Sequence, residues 1–127
     1  QDEQRHLSAI VATTVPEQFS ESLELCLGEV RTQDGPYVLR RALTNPELGD
    51  VAWRFVSDNF GAMTDRFPSS ALPRMLDGIR GFTDRSLAGE VEGFLGSNPL
   101  EVGARQVAQH IERMWASVEA AERIAAE

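Results

Sequence analysis

Apolar residues recur along the chain at three- and four-residue intervals and nowhere alternate for long in the manner of a strand. Leu7, Ile10, Val11 and Thr14 mark one face of a first predicted helix. Pro16 suits the first turn of a second, which carries Phe19, Leu23, Cys26 and Leu27 and ends at Gly28. Asp34-Gly35-Pro36 reads as a capping carboxylate ahead of a proline and starts a third helix, with Val38, Leu39, Ala42 and Leu43 on its apolar side. Asn45-Pro46 ends that helix and opens the next. From there two apolar faces can be traced, one of Leu48, Val51, Ala52 and Phe55, the other of Trp53, Val56, Phe60 and Met63. A helix apolar on two sides belongs between neighbours.

Ser69 and Ser70 are candidate caps for a helix bearing Leu72, Met75, Leu76 and Ile79, where Pro73 is tolerated only because it falls in the first turn. Thr83 or Asp84 caps a shorter helix with Leu87, Val91, Phe94 and Leu95. Asn98-Pro99 reads as the start of the longest helix. Its seam holds Val107, Ile111, Met114, Val118, Ala121 and Ala125, with Glu101–Arg105 and Glu119–Arg123 as i,i+4 pairs on its wet side.

Short helices joined by tight turns become antiparallel neighbours. The expected fold is all-α: an irregular α-solenoid of antiparallel helix pairs, HEAT/armadillo-like, with about seven or eight helices and no sequence self-similarity between units. Unequal helix lengths argue against a closed four-helix bundle. The whole of residues 1–127 reads as a single helical domain, since a chain of this size supports one modest core.

Composition narrows the function more than the fold. Hydrophobic residues make up 42% and charged residues 25%, ordinary globular values. With 12 basic and 20 acidic side chains the net charge is -8, which speaks against binding a nucleic-acid backbone. Every basic residue is arginine, consistent with coding bias or with bidentate anion binding. Cys26, spaced with Phe19 and Leu23, reads as a small core residue. No apolar run reaches the roughly 20 residues that span a bilayer, and no basic-then-apolar leader is present; a cytoplasmic location is favoured, but the compartment is not fixed by the sequence. The chain enters a helical pattern directly from Gln1, as an excised piece of a longer protein would.

Catalytic chemistry is hard to assemble from these residues. A helical zinc site needs two imidazoles one turn apart, whereas His6 and His110 lie at opposite ends of the chain and His110-Ile111-Glu112 offers no partner histidine. His110 reads as a helix-face residue. There is no phosphate loop, nucleophile elbow or Cys/His pairing, and no pair of carboxylates stands out for acid–base work. Trp53 and Trp115 sit at helical spacing among apolar residues and read as packing.

Several stretches, in order, resemble the C-terminal helical domain of zinc aminopeptidases of the puromycin-sensitive and aminopeptidase N type. The most specific is Gly28-Glu29-Val30-Arg31-Thr32-Gln33-Asp34-Gly35-Pro36-Tyr37-Val38-Leu39-Arg40. Asn45-Pro46 follows it, then Ala52-Trp53-Arg54-Phe55-Val56-Ser57-Asp58-Asn59-Phe60, with Phe60 where the family more often has tryptophan. Arg66-Phe67, the Ser69-Ser70 turn and Gly81-Phe82-Thr83 continue the order, so the likeness spans most of residues 7 to 120.

The resemblance implies a bowl of helix pairs that covers the active site and limits or orients peptide substrates. It implies zinc and the amine-binding glutamate in a separate catalytic domain of the same polypeptide, with no cofactor and no catalytic residue in this segment. Gly61-Ala62-Met63-Thr64-Asp65 echoes the family's amine-binding strand, but Thr64 stands where the glutamate would be and the segment reads as helix. The partners implied are that catalytic domain and the parent enzyme's peptides. Arg40, Arg41 and Arg74, near helix turns with apolar neighbours, are candidates to meet a peptide's C-terminal carboxylate, against the alternative that each pairs with a nearby Asp or Glu. A free-standing helical-repeat adaptor would have much the same composition.

Overall fold

In the computed structural model residues 17, 19–21, 23, 24 and 35–126 are described, and every regular element among them is helical. The first predicted helix, Cys26, Leu27, Gly28 and the Asp34 cap lie outside these residues. Phe19 and Leu23 from the second predicted helix are buried in the core, as their spacing requires.

Helix α1 (Gly35–Leu43) begins where Gly35-Pro36 signals a start and buries Val38, Leu39, Ala42 and Leu43. Asn45 then folds back on itself: its Oδ1 accepts from the amides of Glu47 and Leu48 at 2.9 and 3.0 Å. That turn delivers the chain into α2 (Gly49–Asp58). The predicted helix through Met63 is in fact two. At Asn59 both the backbone N–H and the side-chain amide donate to the Phe55 carbonyl, closing α2, and α3 (Phe60–Arg66) starts afresh. The apolar pattern keeps its phase across the break, so periodicity cannot reveal it.

Helix α4 (Leu72–Leu76) has Ala71 at its N-cap position with no side-chain cap, so neither Ser69 nor Ser70 caps it; Pro73 does fall in its first turn. The predicted continuation to Ile79 tightens instead into a 3-10 helix, η1 (Asp77–Gly81). The Asp77 amide donates to the carbonyls of Arg74 and Met75 rather than to that of Pro73, four residues back. Asp84, of the two predicted caps, is the one used: it accepts from the Ser86 amide at 2.9 Å and opens α5 (Arg85–Ser97).

The longest helix, α6 (Ala104–Ala126), starts later than Asn98-Pro99 suggested. Asn98 is spent closing α5, with its backbone and side-chain amides both on the Phe94 carbonyl. The entry to α6 is set by Gly103 at φ +83, where a Cβ would stand 2.2 Å from Pro73 Cγ. Only glycine allows that backbone and that approach together. Glu101 therefore precedes the helix and forms no i,i+4 pair with Arg105. Glu119 and Arg123 make no ion pair with each other, whereas Arg85 reaches Glu122 with two 2.8 Å hydrogen bonds.

The helices stack in two layers. α1 packs against α4 and η1, which in turn pack against α6; α2 packs against α5 in the other layer. Contacts α1–α2 and α5–α6 tie the layers together. Where α2 meets α5, the Phe94 ring packs at right angles to Trp53 and to Phe60 at the start of α3, at centroid distances of 5.6 and 5.3 Å. No described helix is long and apolar enough to cross a membrane.

Candidate functional site

The layer formed by α1, α4, η1 and α6 carries an open cleft of roughly 370 Å³, lined by Tyr37, Arg40, Arg74, Asp77, Arg80, Gln106 and His110. A smaller hollow of roughly 190 Å³ adjoins it, with Pro36, Pro68, Ala71 and Met75 as its more apolar wall. Tyr37, Arg40 and Arg74 belong to both.

Each residue arrives there by local rules. Tyr37 and Arg40 are one helical turn apart on α1, on the side opposite the buried Leu39 and Ala42. Arg74 leaves the exposed side of α4. Asp77 and Arg80, three apart, share one edge of the 3-10 turn, where side chains eclipse at that spacing. Gln106 and His110 are one turn apart on α6.

The cleft is held by an ordered polar network. Arg40 grips one Asp77 oxygen through Nε at 3.0 Å and Nη2 at 2.7 Å. The Arg80 Nε–H donates to His110 Nδ1 at 2.8 Å, and the same nitrogen stands 2.8 Å from the other Asp77 oxygen as an ion pair. His110 Nδ1 accepts, which leaves the proton on Nε2, 2.8 Å from the Pro73 carbonyl. That carbonyl is the one abandoned when the Asp77 amide turned to Arg74, so the switch to 3-10 geometry creates the acceptor that His110 fills. Lower down, the Ser117 hydroxyl donates to the Arg80 carbonyl at 2.7 Å. The whole network clamps α6 to the α4–η1 segment.

His110 is only 4% exposed. Burial pushes its ring below the ordinary histidine range, with the Arg80 charge adding to that, while the Pro73 carbonyl and Asp77 pull the other way. A neutral ring also fits the geometry, since a second ring proton would face the Arg80 N–H.

Three guanidiniums against one carboxylate leave the cleft positive on an otherwise acidic chain. Of the three arginines predicted to meet a carboxylate, Arg40 and Arg74 are brought together and Arg41 is not, for it lines neither hollow. Arg40 is engaged by Asp77, the ordinary alternative for such a residue. Among the described residues the Arg74 side chain has no hydrogen-bond or ion-pair partner. Tyr37, Arg80, Gln106 and His110 are cleft residues that the helical pattern did not single out. For His110 a signal existed: it falls between Val107 and Met114 at seam spacing, a polar residue on an apolar stripe.

Comparison with known proteins adds what geometry cannot. No curated protein matches the chain. A family model described as the ERAP1-like C-terminal domain matches residues 1–116, nearly the whole length. The chain therefore belongs to the ERAP1-like C-terminal domain family, the C-terminal domain of M1-type aminopeptidases.

Proposed function

We propose that residues 1–127 form one helical domain that serves as a non-catalytic wall over the active site of a zinc aminopeptidase, limiting and orienting peptides. Family membership supports this, as does the packing of successive helices against one another, which can build an extended wall. Zinc and the hydrolytic residues belong in this reading to the catalytic domain of the same polypeptide. The described residues do not fit a zinc site: they hold no group of three His, Cys, Asp or Glu side chains able to bind a metal, and both ring nitrogens of His110 are engaged.

The peptide's C-terminal carboxylate would dock in the arginine cleft. Arg74 carries this reading, because among the described residues its guanidinium has no partner and it stands in the wall shared by both hollows with Tyr37 and Arg40. In the full-length enzyme, amidating a peptide's C-terminus is expected to raise KM several-fold, and Arg74→Glu to abolish the difference between acid and amide. A variant that still prefers the free acid as strongly as the parent would remove Arg74 from the site. The 127-residue chain itself, given zinc and an aminoacyl chromogenic substrate, is expected to turn over nothing; appreciable hydrolysis would sink the wall reading.

A further inference from the structure

We infer that His110 is the positioning residue of the arginine cleft, a latch that holds Arg80 when neutral and releases it into the cleft when protonated. The inference rests on the cleft's proposed role in binding a carboxylate, but it concerns how the cleft is gated.

Groups from three elements surround the ring. From η1, Arg80 Nε and Asp77 Oδ1 face Nδ1 at 2.8 and 3.8 Å. From α4 the Pro73 carbonyl takes the Nε2 proton, and Arg74 borders the same cleft. From α1, Arg40 and Tyr37 close the far side, and Gln106 is the ring's cleft neighbour on its own helix. Nε2 is committed to a backbone acceptor, so a proton taken from solvent can only land on Nδ1. There it meets the Arg80 N–H head-on, and both groups become donors with no acceptor between them.

The nearest acceptor is Asp77 Oδ1, which is ion-paired with Arg80. A charged ring 3.8 Å away takes it over, while Oδ2 stays with Arg40. Arg80 then loses the acceptor of its Nε–H and its ion-pair partner at once. Its side chain is already 40% exposed, so the route open to it is outward, toward Arg40 and Arg74. The proton thus exchanges an internally satisfied arginine for one available to an anion. The Ser117 bond to the Arg80 carbonyl keeps the backbone in place while the side chain moves.

The test reads Arg80 directly. In the full chain, the Arg80 Nε–H resonance and the His110 ring resonances are followed by NMR from pH 8 to pH 5. Co-titration with one midpoint is expected. In His110→Gln, which retains an amide donor for the Pro73 carbonyl but offers no titrating nitrogen, the Arg80 signal should lose that pH dependence. An Arg80 signal that stays put while His110 titrates, or a ring that stays neutral until the chain unfolds, overturns the latch; neither result requires a variant. Separately, the affinity for a short peptide with a free carboxylate should rise roughly three- to fivefold between pH 7.5 and pH 5, the scale of one partly exposed ion pair. Co-titration with no peptide binding at either pH would leave the latch standing and defeat the carboxylate reading. Binding without co-titration would do the reverse.

Discussion

His110 ties stability to pH through a simple linkage. Its folded value is depressed below the ordinary 6.5, so on acidification the unfolded chain takes up the proton first. The stability this group contributes is therefore fully present above about pH 6.5 and falls as the pH drops from there toward the folded value. Urea midpoints measured from pH 8 downward are expected to be level, then decline below about pH 6.5; a flat profile to pH 5 would contradict this. A second residue-scale test concerns Gly78, where a Cβ would stand 2.6 Å from the Arg40 carbonyl and 2.7 Å from Leu43 Cβ. Backbone on one side and a buried leucine on the other leave nothing to yield, so Gly78→Ala should cost roughly 2 kcal/mol in chemical denaturation. Neither feature was legible in the sequence. Periodicity places His110 on a seam, but its partners lie 30 and 37 residues away, and helical spacing carries no information at that range.

At the scale of the element, helical spacing identifies the buried apolar residues more reliably than it does the helix ends. Val38, Leu39, Ala42 and Leu43, or Met75, Leu76 and Ile79, are buried as their spacing predicts. The boundaries failed where one residue has two legitimate uses. Asn98 before Pro99 is a good helix start, yet its amides close the preceding helix; Asn59 does the same in the middle of an unbroken apolar pattern. Helix α5 offers the opposite opportunity. Gly89 and Gly93 lie inside it, exposed, with nothing within 4 Å of where a Cβ would be. Each Gly→Ala change there should stabilise the chain by about 0.5–1 kcal/mol by restricting the unfolded backbone, visible as a higher Tm. A loss of stability would mean that α5 bends at these positions in a way alanine resists.

For the molecule as a whole, the layered packing makes a claim about cooperativity. Trp53 reports the layer of α2 and α5, while Trp115, under the Arg85 guanidinium at 5.3 Å, reports α6. The layers share one continuous buried core, so Trp53→Phe and Trp115→Phe, each leaving one tryptophan, should unfold in urea with coincident transitions from fluorescence and circular dichroism. Separate midpoints within either variant would mean that the layers come apart independently. The all-helical class could be read from the pattern and the family from ordered motifs. The cleft could not, because it exists only where α1, α4, η1 and α6 meet.

Tyr37 is the chain's sole tyrosine, and it stands 48% exposed in the wall common to both hollows. The fold has thereby placed the chain's one phenol at its candidate docking point. Ring-carbon NMR of the unmodified chain, or the second-derivative absorbance of its single phenol, can follow occupancy of the cleft without any attached dye. Nitration at this one ring would convert the same position into a covalent block, so that occupancy and protection from the reagent can be scored on a single peptide by mass spectrometry.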